Sequence, residues 1–363
     1  MNKIGIIGLG LIGGSIAKAL KHKQKSTFIV ATDTHIPSLQ QAMAEKIIDG
    51  YTTTIDETFS RCDFIFLCTP VEKIMEIFPT LLPLLSSDCI VTDVGSTKQS
   101  IVKFMNQHEQ EICFIGGHPM TGSEKTGYGA STFYLFENAY YILTPTSKTP
   151  ADKLQELTDL IASLGAFPIT MDPLHHDFVT ASISHVPHVI AAALVNLIKD
   201  LDSSQGHMKQ LAAGGFKDIT RIASSSPDMW AQICSTNQGE ILKVLQKMQE
   251  RLSAFEHSLI NHQYEDIWRF FDDAKEYRNE FSNRSPGPLI KAYEVVVDMV
   301  DEPGGIAEVA TMLSQHGINI KNIGIVSNRE YENGVLQILF ETKEEQKQSI
   351  VLLEEIGYRV YKK

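Results

Sequence analysis

Cysteine is scarce and scattered in this chain. Only five occur among 363 residues, and no two form a Cys-x-x-Cys pair. They are Cys62, Cys68, Cys89, Cys113 and Cys234. An odd number without paired spacing argues against a disulfide framework and against a cysteine-ligated metal, so we expect no metal site. Reduced thiols in a cytoplasmic protein are the interpretation that this usage favours.

Basic residues are also few. Lys and Arg number 32 against 44 Asp and Glu, which gives a formal net charge of -12 at pH 7. Nucleic acids and anionic membranes attract basic surfaces, so neither is an expected partner. An anionic small substrate would need cations placed locally.

Apolar runs are too short for a membrane span. The N-terminal run KIGIIGLGLIGGSIAKAL resembles a signal peptide superficially, but it contains five glycines whose spacing suits another purpose. The run VPHVIAAALVNLI, residues 186–198, has only about half to two-thirds of the length that a membrane helix needs. We interpret it as a buried core helix.

The length of the chain favours two or three domains. Short apolar runs alternate with helical stretches over residues 1–171, which predicts an α/β domain with a Rossmann-type parallel sheet. The predicted strands are residues 3–8, 27–33, 63–69, 89–94, 113–117, 138–145 and 166–171, with a helix at 151–163 before the last.

Strand-like runs then disappear. Residues 172–282 have helical periodicity, which predicts an all-helical domain for substrate binding and dimerisation. The prolines and glycine of NRSPGPL place a linker at residues 283–292. Residues 293–363 have the order βαββαβ, which predicts a ferredoxin-like layer.

A glycine pattern follows the first predicted strand. Gly8, Gly10 and Gly13 form Gly-x-Gly-x-x-Gly at the start of a predicted helix. Such glycines allow a tight turn, the approach of a pyrophosphate and close helix packing. Leu11 and Ile12 lie within the pattern, and we expect them to contact the cofactor that carries this pyrophosphate. Glycines that serve only a tight turn are the alternative.

Three further residues end predicted strands at the edge where a dinucleotide binds. Asp33 lies 20 residues beyond Gly13, where a carboxylate accepts hydrogen bonds from a ribose diol and repels a 2′-phosphate. This favours NAD over NADP. Thr69 is the last residue of another predicted strand, and Pro70 follows it. Both are expected in the cofactor cleft, although a plain loop role is the alternative.

One histidine stands in the unusual stretch GGHPMTGSEKTGYG. His118 follows a predicted strand, so it emerges at the cofactor edge, where a neutral imidazole can take a proton as a hydride leaves the adjacent carbon. Ser96, after the preceding strand, could hydrogen-bond the imidazole and fix its tautomer. A structural loop histidine is the alternative.

The order of these motifs resembles a known family. GLGLIGGS, TDVGSTK, GGHPMTGSEKTG, SHVPH and GGFKDITRIASSSPDMW are similar to motifs of prephenate dehydrogenases, over residues 1 to about 280. The later stretch VDEPGGIAEVATMLSQHGINIKNI resembles an ACT domain, a small amino-acid-sensing module.

The resemblance implies NAD-dependent oxidative decarboxylation of prephenate to 4-hydroxyphenylpyruvate. It implies that His118 accepts the proton of the ring C4 hydroxyl and that Ser96 orients His118. Glu124 would stand at the cleft entrance, and Ser123 would offer a hydrogen bond beside the imidazole.

Two cations match the two carboxylates of such a substrate. Lys217 and Arg221 are spaced i, i+4 in GGFKDITR and would share one face if this segment is helical. The resemblance assigns Arg221 to carboxylate binding. An ion pair of Arg221 with Asp218 and Glu124 when the site is empty, and a solvated surface pair, are the alternatives.

Two histidines occur in SHVPH. His185 and His188 have no cysteine or carboxylate at companion spacing, so a metal site is not expected. The resemblance favours a substrate contact for His188 and a place at the domain junction for His185. Core or interface packing is the alternative for either.

A glycine turn opens the first helix of the C-terminal module. Gly304, Gly305 and Ile306 lie where free N–H groups of a helix can receive a carboxylate, and Asn319 at the start of the next strand can offer an amide. The resemblance implies L-tyrosine as effector, and the long apolar helices favour a homodimer. A plain strand-turn-helix with a structural Asn319 is the alternative.

Two other functions remain open on the sequence. Arogenate dehydrogenase differs only in an amino group in place of the keto group of the substrate side chain. A non-catalytic, nucleotide-bound amino-acid sensor belongs to a different class, and intact Ser96, His118 and Arg221 argue against it.

Overall fold

The computed structural model describes residues 2–24, 26–107, 112–123, 125–282, 293–299, 302–326 and 334–362. The chain divides into two compact units, Met1–Ile267 and Trp268–Lys363. The predicted linker at 283–292 and the predicted site residue Glu124 lie outside the described residues.

Eight strands form the sheet of the first unit. They are β1 (Lys3–Ile7), β2 (Phe28–Thr32), β3 (Gly50–Thr52), β4 (Phe64–Leu67), β5 (Ile90–Asp93), β6 (Cys113–Pro119), β7 (Tyr140–Pro145) and β8 (Phe167–Thr170), in the order β3-β2-β1-β4-β5-β6-β7-β8. The chain order reverses at β1, between β2 and β4, which creates the crevice where dinucleotides bind in this class of fold. The predicted α/β fold is therefore confirmed.

The parallel arrangement ends at β6. β7 pairs with β6 in the antiparallel sense, and β8 then runs parallel to β7. Parallel neighbours need a crossover connection, usually a helix. Between β6 and β7 the described residues contain only the short 3₁₀ turn Tyr128–Ala130, so the chain returns directly.

Strand β6 is longer than predicted. Its pairing with β5 ends at Ile115, whereas its pairing with β7 continues through His118, which lies opposite Ile142. His118 is therefore a strand residue rather than the first residue of a loop. The expectation that it follows the strand is wrong by two residues, because β7 extends the ladder.

Helices cover both faces of the sheet. They are α1 (Leu11–Lys23), α2 (Ile36–Ala44), α3 (Val71–Leu81), α4 (Gln99–Asn106) and α5 (Ala151–Ser163). Alternate strand residues enter two separate cores: Ile6 and Phe66 pack on one side, and Ile65 and Leu67 on the other. Burial on both faces explains why the strands read as continuous apolar runs.

The chain beyond the sheet is helical, as predicted. Its α-helices are α6 (Pro173–Thr180), α7 (Val186–Leu201), α8 (His207–Leu211), α9 (Gly214–Thr220), α10 (Pro227–Thr236), α11 (Gln238–Ile260) and α12 (Tyr264–Ser282). A single π-helical turn, Ala181–His185, joins α6 to α7. Such turns are frequent at functional sites.

Helix α7 corrects one expectation. Within α7 only Val186 and Ala191 are buried, while Leu197 and Leu201 are 50% and 59% exposed. The interpretation of this run as a buried core helix is therefore wrong for a single chain. By length and composition alone, Pro173–Leu201 would also suit a membrane span. An exposed apolar face of this kind equally suits contact with another subunit.

The second unit contains a four-stranded antiparallel sheet. Its elements are β9 (Tyr293–Met299), α13 (Gly305–Gln315), β10 (Asn322–Val326), β11 (Gly334–Phe340), α14 (Lys343–Glu355) and β12 (Arg359–Lys362), with strand order β10-β11-β9-β12. This confirms the predicted βαββαβ layer. Val295, Val297 and Ile338 of the sheet form its core with Leu313 and Leu353 of the helices.

Candidate active site

The glycine loop after β1 has the geometry of a phosphate cradle. A Cβ at Gly8, which has φ +97°, would lie 2.6 Å from the carbonyl oxygen of Cys68, and one at Gly13 would lie 2.1 Å from that of Gly8. A Cβ at Gly10 would meet no atom within 4 Å. Helix α1 begins at Leu11 without a side-chain cap. Its free N–H groups therefore suit a pyrophosphate.

Asp33 supports the same loop. Its Oδ2 accepts the Leu9 N–H at 2.5 Å, and its Oδ1 accepts the His35 N–H at 2.7 Å. Each carboxylate oxygen has a second lone pair for another donor. Besides its expected contact with a ribose, Asp33 therefore fixes the backbone beside Gly8.

Thr69 and Pro70 lie at the expected edge. The buried Thr69 Oγ1 has no hydrogen-bond partner among the described residues, which marks it as a group that a ligand could satisfy. Pro70 precedes α3 and lines a cavity of about 250 Å³ between the sheet edge and α10. The other lining residues are Val71, Gly95, Ser96, Thr97, Asp228, Met229, Gln232, Ile233 and Thr236.

His118 belongs to a buried chain of hydrogen bonds. Its Nδ1 lies 2.8 Å from Nε2 of His176, and Nδ1 of His176 lies 2.8 Å from Oδ1 of Asp177. His176 and Asp177 are on α6 and are fully buried, whereas His118 is 9% exposed. Sequence reasoning missed both α6 residues, and the adjacent letters HHD were the only signal.

The expected bond from Ser96 to His118 is absent. No hydrogen bond joins these two side chains in the described part of the chain, since His176 occupies Nδ1 of His118 and Ser96 lines the cavity beside α10. The hydrogen-bond partner of His118 Nδ1 therefore comes from α6 rather than from the loop after β5.

A buried ion pair lies beneath the same strand end. Asp93 pairs with Lys98, and both side chains are fully buried. Asp93 Oδ1 also accepts the Gly117 N–H at 3.0 Å, and Oδ2 accepts the Gly95 N–H at 2.8 Å. This carboxylate therefore ties the loop after β5 to the residue that precedes His118.

Burial holds the imidazole neutral. It lowers the pKa of His118 well below 6.5, and the neighbouring His176, Lys98 and His185 lower it further. Burial also lowers the pKa of His176, and it lowers the pKa of His185 to about 4. At pH 7 His118 is therefore available to accept a proton.

The two histidines of SHVPH pack around one tryptophan. The ring of His188 stacks on Trp230 with centroids 3.9 Å apart, and its Nδ1 donates to the Ser184 carbonyl at 2.8 Å. His185 meets Trp230 edge-on at 5.9 Å and bonds Asn237. Among the described residues no group of His, Cys, Asp and Glu could hold a metal ion.

The predicted cations are exposed on α9 and just beyond it. Lys217 is in the last turn of α9, and Arg221 follows as the first residue of the 3₁₀ turn Arg221–Ser224. The α-helix thus ends between them, although the chain continues its helical course. Ser123 is exposed, and its Oγ accepts the Lys125 N–H at 3.1 Å.

The predicted effector residues lie in the second unit. Gly304 has φ +104° and precedes α13, and a Cβ at Gly305 would lie 2.9 Å from the Met299 sulfur. Ile306 is 40% exposed. Asn319 lies in the loop before β10, so its placement at a strand start is wrong, because the strand begins three residues later at Asn322.

Three family models match successive parts of the chain. They describe a prephenate dehydrogenase nucleotide-binding domain at residues 16–169, a prephenate dehydrogenase dimerization domain at 172–273 and an ACT domain at 293–352.

Similar proteins cover most of the chain. Prephenate dehydrogenase of Bacillus subtilis is 36% identical over 95% of this chain and 93% of its own length, and that of Lactococcus lactis is 34% identical over 98% of each. The crystal structure of Aquifex aeolicus prephenate dehydrogenase with hydroxyphenyl propionate and NAD+ has TM-score 0.73 at 34% identity, covering 77% of this chain and 98% of that one. Synechocystis arogenate dehydrogenase has TM-score 0.70 at 30% identity, covering 77% and 99%.

The buried histidines predict how stability depends on pH. Because His118, His176 and His185 have lowered pKa values in the folded chain, the unfolded chain binds more protons as the pH falls through 6.5. We expect the urea midpoint to fall between about pH 7.5 and about pH 5.5, each histidine contributing up to about 1.4 kcal/mol per pH unit.

The matched variants are His118→Asn and His175→Asn, the latter at an exposed histidine of α6. His118→Asn should weaken the pH dependence, and His175→Asn should leave it as in the wild type. If the urea midpoint depended on pH equally in the wild type and in His118→Asn, the lowered pKa assigned to His118 would be contradicted.

Proposed function

Because the chain belongs to the prephenate dehydrogenase family, we propose that it converts prephenate and NAD to 4-hydroxyphenylpyruvate, carbon dioxide and NADH. The observation that carries the proposal is the neutral, buried His118 at the carboxyl edge of a sheet whose first loop forms a phosphate cradle. The protein would act as a cytoplasmic homodimer.

The residues for the cofactor fit NAD. Gly8, Gly10 and Gly13, with Leu11 and Ile12 between and beside them, would hold the pyrophosphate at the start of α1. Bound NAD supplies the hydride acceptor. Asp33, after β2, would bind the ribose beside this loop. Thr69 and Pro70, after β4 on the other side of β1, would line the cleft.

His118 would act as the general base. Its Nε2 accepts the proton of the C4 hydroxyl while a hydride leaves C4, which leaves a carbonyl at that carbon. The ring carboxylate then departs as carbon dioxide, its bonding electrons complete the aromatic ring, and the C4 oxygen takes back a proton. Ser96 lines the cavity beside α10 and would hydrogen-bond the hydroxyl rather than the imidazole.

The two carboxylates of prephenate need cations in an acidic protein. We assign Arg221 to one of them, with Lys217 one turn earlier as a further positive charge. His188, held by Trp230 and Ser184, keeps Nε2 for the substrate. Ser123 and Glu124 would complete the entrance.

A dimer would cover the exposed face of α7. The family model that matches this region describes a dimerization domain. Leu197 and Leu201 of α7, with Ile183 of the π-helical turn before it, are between 50% and 63% exposed in the single chain. Burial against a second copy would remove this apolar surface from water.

Initial rates with prephenate and arogenate, each with NAD and NADP, test the reaction. We expect the largest kcat/KM with prephenate and NAD. A larger kcat/KM with arogenate would change the assigned substrate but not the assigned type of reaction. The similarity to Synechocystis arogenate dehydrogenase supports this alternative. Absence of reduced cofactor in all four assays would contradict the function and favour the sensor.

Substitution of the base gives the second test of this function. His118→Asn should lower kcat by roughly a hundred- to ten-thousandfold, since a general base is lost, while the Kd of NAD stays near the wild-type value. The matched control is His175→Asn, at an exposed position of α6. Retention of most turnover by His118→Asn would exclude the assigned role.

Feedback by L-tyrosine through the second unit is the regulatory part of the proposal. Its support is the ACT match, the glycine turn at Gly304 and Gly305, and the exposed Asn319. Inhibition requires tighter binding of tyrosine to one state, with coupling energies of about 1 to 3 kcal/mol.

In the full chain, Asn319→Ala should raise the tyrosine concentration for half inhibition while leaving kcat and KM unchanged. Gln315→Ala, at an exposed position of α13, is the control. Inhibition that is strictly competitive with prephenate and equal in both variants would instead place tyrosine at the active site.

A further inference from the structure

We propose that His176 and Asp177 are positioning residues that place the proton of His118 on Nδ1, so that Nε2 presents a lone pair to the substrate. The inference deepens the proposed function and rests on the role of His118 as base. It follows from the buried hydrogen bonds that run from α4 through α6 to β6.

The chain of bonds begins at a carboxylate with fixed donors. Asp177 Oδ1 accepts the Lys98 N–H at 2.7 Å, and Oδ2 accepts the Gln99 N–H at 2.8 Å. Both donors belong to the start of α4, where the helix dipole favours negative charge. Asp177 therefore presents only acceptors to its neighbours.

This acceptor determines the tautomer of the next ring. His176 Nδ1, 2.8 Å from Asp177 Oδ1, must carry a hydrogen to make that bond. In a neutral imidazole the other nitrogen is then a lone pair, so His176 Nε2 accepts.

The same logic fixes His118. Its Nδ1 lies 2.8 Å from His176 Nε2, which only accepts, so Nδ1 of His118 carries the hydrogen. Nε2 of His118 is consequently unprotonated. Two adjacent residues of α6 thereby select the form of His118 that can act as a base, since the opposite tautomer carries its hydrogen where the substrate proton must go.

The arrangement also offsets an electrostatic penalty. Three groups near His118 oppose a positive charge on its imidazole: the cation Lys98 and the titratable rings of His176 and His185. Asp93 compensates Lys98 through their ion pair. When His118 gains the substrate proton, its Nδ1–H bond to His176 becomes charge-assisted, and Asp177 lies at the end of that chain.

The α6 pair is itself held in place. Asn237 Nδ2 donates to the Asp177 carbonyl at 2.8 Å and contacts His185 Nδ1 at 3.1 Å. Thr180 Oγ1 donates to the His176 carbonyl at 3.0 Å. These bonds, with the two at the start of α4, leave the pair little freedom to reorient.

Nitrogen NMR of the full chain with ¹⁵N-labelled histidine reads the tautomer directly and needs no substrate. Comparison with His118→Asn assigns the resonances of His118. We expect a protonated Nδ1 and an unprotonated Nε2 in the wild type. The opposite pattern would overturn the proposal whether or not prephenate is the substrate, so this measurement is separate from the test of the proposed function.

Kinetics of three variants test the consequence. His176→Leu removes the acceptor and keeps comparable bulk, so kcat should fall by roughly a hundredfold or more. The KM values for prephenate and for NAD should both stay within about threefold of the wild-type values. His176→Gln offers an amide oxygen to His118 Nδ1 and should recover a large part of the loss. His175→Leu makes the same change one residue earlier, on the exposed side of α6.

The pH profile separates positioning from packing. His176 opposes a positive charge on the His118 ring, so its removal should raise the pKa of His118. The acid limb of kcat/KM should therefore move to higher pH in His176→Leu as its plateau falls. An unchanged kcat in His176→Leu, or equal losses in His176→Leu and His176→Gln with an unmoved acid limb, would overturn the proposal. If His176→Leu does not fold, the NMR pattern of the wild type and of His176→Gln decides it.

Discussion

The carboxylate of Asp177 at the start of α4 is the contact on which the arrangement of the first unit depends. Asp177 belongs to α6, in the helical part of the chain. Its carboxylate accepts hydrogen bonds from the backbone N–H groups of Lys98 and Gln99, where the loop after β5 ends and α4 begins. Sheet and helices are therefore joined by bonds to the main chain, which side-chain substitutions elsewhere do not remove. Replacement of this buried carboxylate would leave two N–H donors unsatisfied, at a cost of about 1 to 3 kcal/mol each.

A second buried carboxylate, that of Asp93, lies at the end of β5, a few residues before α4 begins. Asp93 neutralises Lys98 and anchors Gly117 at the same time. Buried ion pairs contribute little net stability, yet removal of one partner costs about 3 to 5 kcal/mol because the other charge remains buried. The imidazole of His118 thus lies near an ion pair whose two charges compensate each other.

Much of this could be predicted from the sequence because it depends on local patterns. Apolar runs gave the strands, the glycines gave the loop after β1, and His118 stood out because little else in its segment could pack. The short β3 was missed because Gly50–Thr52 contains no apolar run. The reversal at β7 and the exposure of α7 depend on what lies beside each element, which periodicity does not report. His176 and Asp177 were missed because His118 lies 58 residues from His176, and Lys98 and Gln99 lie 79 and 78 residues from Asp177.

The reversal of direction at β7 has a consequence for the entropy of catalysis. Beyond Ile115 the ladder of β6 is paired only with β7, so His118 extends past the end of β5 while its backbone stays hydrogen-bonded. A base on a loop must be brought to one orientation in each catalytic cycle, which reduces the rate. For His118, the base that we propose, the backbone is already ordered by its pairing with β7. The antiparallel strand, which departs from the doubly wound pattern, thus holds the proposed base in a hydrogen-bonded ladder beyond the end of β5.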